Sequence, residues 1–142
     1  NQKMLNSFFA DSTAKILEVE YSGLSAERDA NKYAYKLEKN ITNFDTVILG
    51  VGEDGHIASL FPDTVAVSDT ENFYVSNEVN ILSKWRVTAT FKLLKEVDNV
   101  YLLVTGNNKK EILKSIMKNG NTSANKLINE RKKTILITDQ EI

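Results

Sequence analysis

One histidine stands in the whole chain, among residues that can make an imidazole into a reagent. His56 follows Gly50-Val51-Gly52-Glu53-Asp54-Gly55 and precedes Ile57-Ala58-Ser59-Leu60-Phe61-Pro62. Imidazole exchanges its proton near neutral pH, so it can act first as general base and then as general acid. Asp54, two residues upstream, can orient such a ring or stabilise its protonated form; as a turn residue it can equally bond its own backbone. Three glycines in six residues permit positive φ or close backbone approach, and the N–H groups of Gly52 to Gly55 are candidate donors to an oxyanion.

The same six residues spell G-x-G-x-x-G, the dinucleotide-binding fingerprint. That fingerprint needs a full helix starting at its third glycine and an acidic residue closing the next strand, about 20 residues on. Pro62 leaves room for barely two helical turns, and neither Glu71 nor Glu78 closes a clear strand. Spacing alone therefore disfavours a nicotinamide cofactor and leaves open both a turn without chemistry and an acid–base pair. The loop follows the carboxyl end of an apolar strand, where open α/β sheets place their ligands. With no cysteine and one histidine, disulfides, thiolate metal sites and a cysteine nucleophile are excluded and a zinc site fits poorly, so neither metal nor cofactor is expected. Ser59 lacks the G-x-S-x-G surroundings of a serine nucleophile; it reads as a residue that caps or packs the short turn before Pro62.

Alternating helices and strands must position this loop. Met4, Leu5, Phe8 and Phe9 make one apolar face of a helix over residues 1–10. Ser25 caps a second helix, with Glu27 and Asp29 in its first turn and Ala26, Ala30, Tyr33, Ala34 and Leu37 on its core face; Asn40 closes it. Residues 44–51 read as a strand buried on both faces, as in a parallel sheet covered by helices. Residues 72–76 and 86–91 are weaker strands, and 100–104 a second buried one. Asn107 or Asn108 caps a helix whose core face is Ile112, Leu113, Ile116 and Met117, with Asn119-Gly120 as its stop. A short helix over 124–129 leads to a last strand over 134–138, and Arg131-Lys132-Lys133 reads as a solvated turn. The pattern is α/β with a mostly parallel sheet.

The length of 142 residues suits one domain, and 42% hydrophobic with 26% charged residues is ordinary for a soluble fold. A formal net charge of −1 gives no field to attract nucleic acid, and no apolar run reaches membrane-spanning length. Together with the lack of cysteine this suits a cytoplasmic protein of unspecified oligomeric state. The chain opens on Asn1, straight into a helical pattern, which reads as a start inside a domain.

The wider segment FDTVILGVGEDGHIASLFPDT resembles the signature of the 6-phosphogluconolactonases, a strand followed by GxGxDGHxASLFP. Arg86-Val87-Thr88-Ala89-Thr90 resembles that family's R-I-T-L-T strand, and Val100 to Lys109 its VLFLVTGxxK. Ser123-Ala124-Asn125 falls at its P-A-S segment, Ile135 to Asp139 at its final strand and acidic turn, and Asn1 at the asparagine of an S-N pair. The resemblance covers nearly all of the chain. The family's earlier portion, with its first strands, a glycine/serine-rich phosphate loop and a G-D-E-R segment, has no counterpart here, so these residues read as the later part of a longer catalytic domain. The sister hexosamine-6-phosphate deaminases share a GxGxDGHIA loop that continues F-N-E-P, whereas this one continues Ser59-Leu60-Phe61-Pro62. Ser83-Lys84-Trp85 departs from the family, which has a proline nearby.

The resemblance implies a Rossmann-like, mostly parallel sheet flanked by helices (NagB/RpiA-like) that lacks its N-terminal strands. It implies hydrolysis of 6-phospho-D-glucono-1,5-lactone to 6-phosphogluconate in the oxidative pentose phosphate pathway, without cofactor or metal. His56 would be the general base, with Asp54 beside it; Gly52 and Gly55 would bind the substrate, and Arg86 and Lys109 would hold the phosphate. A phosphosugar lactone would be the partner, with no nucleic acid and no membrane. The alternatives are a glucosamine-6-phosphate deaminase/isomerase and a catalytically incomplete fragment.

Overall fold

A computed structural model of the chain describes residues 2–81 and 84–141; the sequence readings at Asn1 and Ser83 lie outside them. Three strands, β1 (Thr46–Gly50), β4 (Asn99–Val104) and β5 (Ile135–Thr138), form a parallel sheet in the order β1-β4-β5. Leu49 pairs with Leu102 and Leu102 with Leu136, which sets one apolar row across all three strands. The other two strands, β2 (Tyr74–Glu78) and β3 (Trp85–Ala89), form a separate antiparallel pair.

Among the described residues, five helices accompany them: α1 (Gln2–Phe8), α2 (Ala26–Asn40), α3 (Phe91–Glu96), α4 (Lys110–Met117) and α5 (Ser123–Asn129). The Ser25 hydroxyl accepts the Arg28 N–H to start α2, and Asn40 ends it, as its sequence predicts. Tyr33 of α2 meets Tyr74 of β2 edge-on at 4.9 Å, which docks α2 against the antiparallel pair. The core joins Leu49, Leu102 and Val104 of the sheet to Leu94 of α3, Ile112, Leu113 and Ile116 of α4, and Leu127 of α5.

Several expectations need correction. Alternation, not two-sided burial, describes the parallel sheet: Leu49 and Leu102 are buried, but Ile48 is 63% exposed and Ile137 is also exposed. Residues of α3, α4 and α5 pack with the Leu49 face, and Ile48 and Ile137 stand exposed on the other. The apolar face of α1 is likewise uncovered, with Phe8 80% exposed, and Met117 turns outward from α4. The strand expected over 86–91 stops at Ala89 because Thr90 caps a new helix, its hydroxyl accepting the Leu93 N–H at 3.4 Å. No asparagine caps α4; a 3-10 turn over Asn107–Lys109 precedes it. Nor is Arg131 in a solvated turn: its guanidinium donates to the carbonyl oxygens of Leu94, Lys95, Val97 and Asp98, the end of α3 and the residues after it.

Candidate active site

The chain leaves β1 and extends the sheet by one residue, the Val51 N–H donating to Leu103 O at 3.1 Å. It then folds back on itself. Gly52 N–H donates to His56 O at 2.8 Å, Val51 bridges Ile57, and Ile57 bridges Leu60. Residues 57–60 thus make a two-residue reversal, with Ala58 at φ 51, the left-handed conformation that such hairpin turns require. No helix starts at Gly55, so the element a dinucleotide fingerprint needs is missing.

In an antiparallel reversal, side chains of neighbouring pairs point to opposite faces. Ile57 and Leu60 are completely buried in the core. His56 and Phe61, the next pair outward, stand together on the other face, their rings stacked at 4.0 Å between centroids and 26° between planes. The sequence reading of a short turn before Pro62 did not resolve this alternation, I-x-x-L inside against H-x-x-x-x-F outside.

Polar contacts hold the reversal from both sides. Ser59 N–H donates to Thr88 Oγ1 at 3.0 Å and Ser59 O accepts from Asn77 Nδ2 at 2.8 Å, which ties it to β3 and β2. Ala124 N–H donates to Gly55 O at 3.0 Å and the Ser123 hydroxyl to Leu60 O at 2.6 Å, which ties it to the start of α5. Asn77, Thr88 and Ser123 are buried polar residues to which the sequence reading gave no role. Their role depends on partners far along the chain.

His56 Nδ1 lies 2.6 Å from Asp54 Oδ1, and the same oxygen accepts the His56 backbone N–H at 3.1 Å. A carboxylate at that distance requires the proton on Nδ1, so the neutral ring presents Nε2 as a bare acceptor. Partial burial pushes the Asp54 carboxyl up, but the His56 ring and backbone N–H outweigh it and hold the group below its ordinary value. The imidazole is about three-quarters covered and the Asp54 carboxylate more open, at 26% and 43% exposure.

The glycines enter this geometry as shape. A Cβ on Gly52 would stand 2.1 Å from His56 Nδ1, and one on Gly55, at φ +80, would stand 2.5 Å from Thr122 Cβ. The expectation that these glycines offer N–H donors is corrected: Gly52 N–H is bound to His56 O and Gly55 N–H to Gly52 O. Of the run 52–55, the Glu53 and Asp54 N–H groups donate to no other residue among the described residues.

The two expected phosphate cations lie on different elements. Arg86 of β3 shares a strand face with Asn77 and Thr88, the residues that hold Ser59, and its guanidinium donates to Ile81 O at 3.2 Å. Lys109 ends the 3-10 turn after β4. That turn is joined to the histidine loop, because Asn108 Nδ2 donates to Glu53 Oε1 at 2.5 Å. The Gly106 N–H that opens it is already occupied by both oxygens of Asp139, at 2.9 and 3.1 Å. Lys109 therefore has less help from backbone dipoles than its place before a helix suggests. Among the described residues, no cluster of three or more His, Cys, Asp or Glu side chains could hold a metal, and no helix is long and apolar enough to cross a membrane.

Known proteins resemble this chain at both levels. Residues 1–136 match the family described as glucosamine-6-phosphate isomerases/6-phosphogluconolactonase. A 6-phosphogluconolactonase of Chlamydia trachomatis is 43% identical over 74 residues, covering 52% of this chain and 29% of that protein. The human 6-phosphogluconolactonase is 36% identical over 100 residues, covering 66% of this chain and 39% of that one. The crystal structure of 6-phosphogluconolactonase from Leishmania guyanensis superposes with a TM-score of 0.65 at 28% identity, over 80% of this chain and 50% of its own. The chain thus spans half or less of the length of these relatives.

Proposed function

Since the chain belongs to the family of glucosamine-6-phosphate isomerases and 6-phosphogluconolactonases, we propose that it supplies the catalytic histidine for hydrolysis of 6-phospho-D-glucono-1,5-lactone. The observation that carries this reading is the Asp54–His56 pair, mounted on a loop whose continuation is Ser59-Leu60-Phe61-Pro62. Neutral His56 takes a proton from water at Nε2, and the resulting hydroxide adds to the lactone carbonyl carbon. The tetrahedral oxyanion collapses with cleavage of the bond to the ring oxygen. The imidazolium returns its proton to that oxygen, giving the open-chain acid, 6-phosphogluconate. Asp54 keeps the proton on Nδ1 and offsets the positive charge as it forms. No covalent intermediate and no metal enter the sequence.

Arg86 and Lys109 hold the phosphate in this reading, Arg86 through the planar fork that suits phosphate oxygens and Lys109 as a point charge. The Glu53 and Asp54 N–H groups are the backbone donors open to an oxyanion. In this reading the working unit includes polypeptide beyond these residues, since the match accounts for half of the solved relative and Ile48 and Ile137 stand exposed on one face of the parallel sheet. Its compartment in this reading is the cytoplasm.

The test is ring opening of freshly prepared lactone by the chain, with His56→Ala as control. Acceleration that disappears in the variant supports the assignment. Ammonia release from glucosamine 6-phosphate would move the chain to the isomerase side of the family. If the chain is inert, the same pair of assays on a longer form carrying the additional polypeptide decides between an incomplete site and a wrong reaction.

A further inference from the structure

Asp54 fixes the tautomer of His56, but one hydrogen bond in the ring plane does not fix the plane. An imidazole bound only at Nδ1 can still tilt about its Cβ–Cγ bond and carry Nε2 away from a substrate. Two further contacts bear on that tilt. The bare Cα of Gly52 lies against the Nδ1–Cε1 edge, close enough that an added Cβ would stand 2.1 and 2.3 Å from those atoms. The Phe61 ring covers a face of the imidazole at 4.0 Å. Phe61 is itself anchored, because its carbonyl accepts the Thr64 hydroxyl at 2.7 Å and Thr64 Oγ1 accepts from the buried Asn77 amide at 2.9 Å.

We propose that Phe61 is a positioning residue for His56: its ring, the bare Gly52 and the Asp54 carboxylate form a three-sided slot that holds the imidazole in one plane, with Nε2 as its unengaged nitrogen. The ring and the histidine are brought together by the reversal at Ala58-Ser59, whose inner pair Ile57 and Leu60 anchors the turn in the core. A planar side chain is required, since only a flat ring can lie along an imidazole and block its rotation; an aliphatic group of similar volume fills the space without that constraint. The proposal deepens the lactonase reading and rests on it for its catalytic meaning, but the slot is a property of the folded chain and can be measured without substrate.

The single histidine makes that measurement direct. In carbon-13-labelled protein in alkaline buffer, relaxation of the His56 Cε1–H and Cδ2–H bonds reports how far the ring moves, and the wild-type ring should be as rigid as the backbone around it. Phe61→Tyr keeps the flat face and should keep that rigidity. Phe61→Leu should lower the order parameters of both bonds, while circular dichroism and the thermal midpoint show the fold retained. Should the leucine variant not fold, Phe61→Met is read in its place. In an active form of the protein, Phe61→Leu should lower kcat about tenfold with KM little changed, and Phe61→Tyr should restore it. Wild-type order parameters in a folded leucine or methionine variant would overturn the slot, whatever the activity. Lowered order parameters in a protein that never opens the lactone would keep the slot and count against the lactonase reading instead.

Discussion

One carboxylate oxygen, Asp54 Oδ1, accepts from both the ring and the backbone of His56, at 2.6 and 3.1 Å. The residue is thereby held at two points four bonds apart, the backbone nitrogen and ring Nδ1, and the ring nitrogen left over is Nε2.

Asp54→Asn tests what that carboxylate contributes. An amide can turn either its oxygen or its NH2 toward Nδ1, so the tautomer preference is lost. We expect kcat for lactone opening to fall about 10²-fold, with KM little affected, because the ring is still present but presents the wrong nitrogen part of the time.

The same carboxyl has a stability signature. Held below its ordinary value, it binds a proton less tightly in the folded chain than in the unfolded one. It therefore stabilises the fold at pH above the unfolded carboxyl value, about 4, and that contribution goes as pH falls through the folded value. The difference in thermal midpoint between wild type and Asp54→Asn should be greatest near neutral pH and shrink in acid. A difference that widens in acid would contradict this assignment.

Two glycines three residues apart should fail in different ways. Gly52→Ala places a methyl group on His56 Nδ1, with Asp54 Oδ1 also within 2.6 Å, and these are side chains at a partly open rim. We expect lost activity and a displaced histidine resonance in a chain that still melts near the wild-type temperature. Gly55→Ala combines φ +80 with Thr122 and Ile112 at 2.5 and 2.9 Å, inside the contact with α4 and α5. That strain should cost about 1–3 kcal/mol of folding free energy, read from denaturant unfolding.

How much of this the sequence discloses depends on the range of the interactions. The cap at Ser25, the helix to Asn40 and the apolar runs of β1 and β4 are local patterns, and they appear where local rules put them. The reversal at 57–60 was hidden because six residues of mixed polarity before a proline fit a short helix as well as a tight hairpin; only the burial of Ile57 and Leu60 decides. Asn77, Thr88 and Ser123 act on carbonyls and amides 18 to 63 residues away, which no window along the chain can register. Arg131 sat in a basic triplet that looked like a surface run, and its carbonyl partners lie more than 30 residues earlier.

Arg131 gives the fourth test. Its two terminal nitrogens serve four carbonyl oxygens at 2.6 to 3.2 Å, where α3 runs out of backbone donors. Arg131→Lys retains the charge but not the fork, and one ammonium cannot span the four acceptors. We expect both Arg131→Lys and Arg131→Ala to lower stability by about 1.5–3 kcal/mol, with amide exchange accelerated first around α3. A lysine variant as stable as wild type would show that charge alone serves the end of α3.

The neighbours Ile48 and Leu49 weigh the two faces of the parallel sheet against each other. Leu49 packs with Leu102 against the helices, whereas Ile48 shares the open face with Tyr101 and Ile137. Removing the Leu49 side chain leaves a cavity, and Leu49→Ala should cost about 2–5 kcal/mol. Ile48→Ala removes contacts that an uncovered face scarcely makes, so a loss below about 1 kcal/mol is expected. Equal losses at the two positions would mean that this face is covered in solution. Sedimentation velocity would then tell whether a second copy covers it, since the Ile48→Ala chain should fall to monomer where wild type does not. A monomeric wild type with a sensitive Ile48 would place the cover within the same polypeptide.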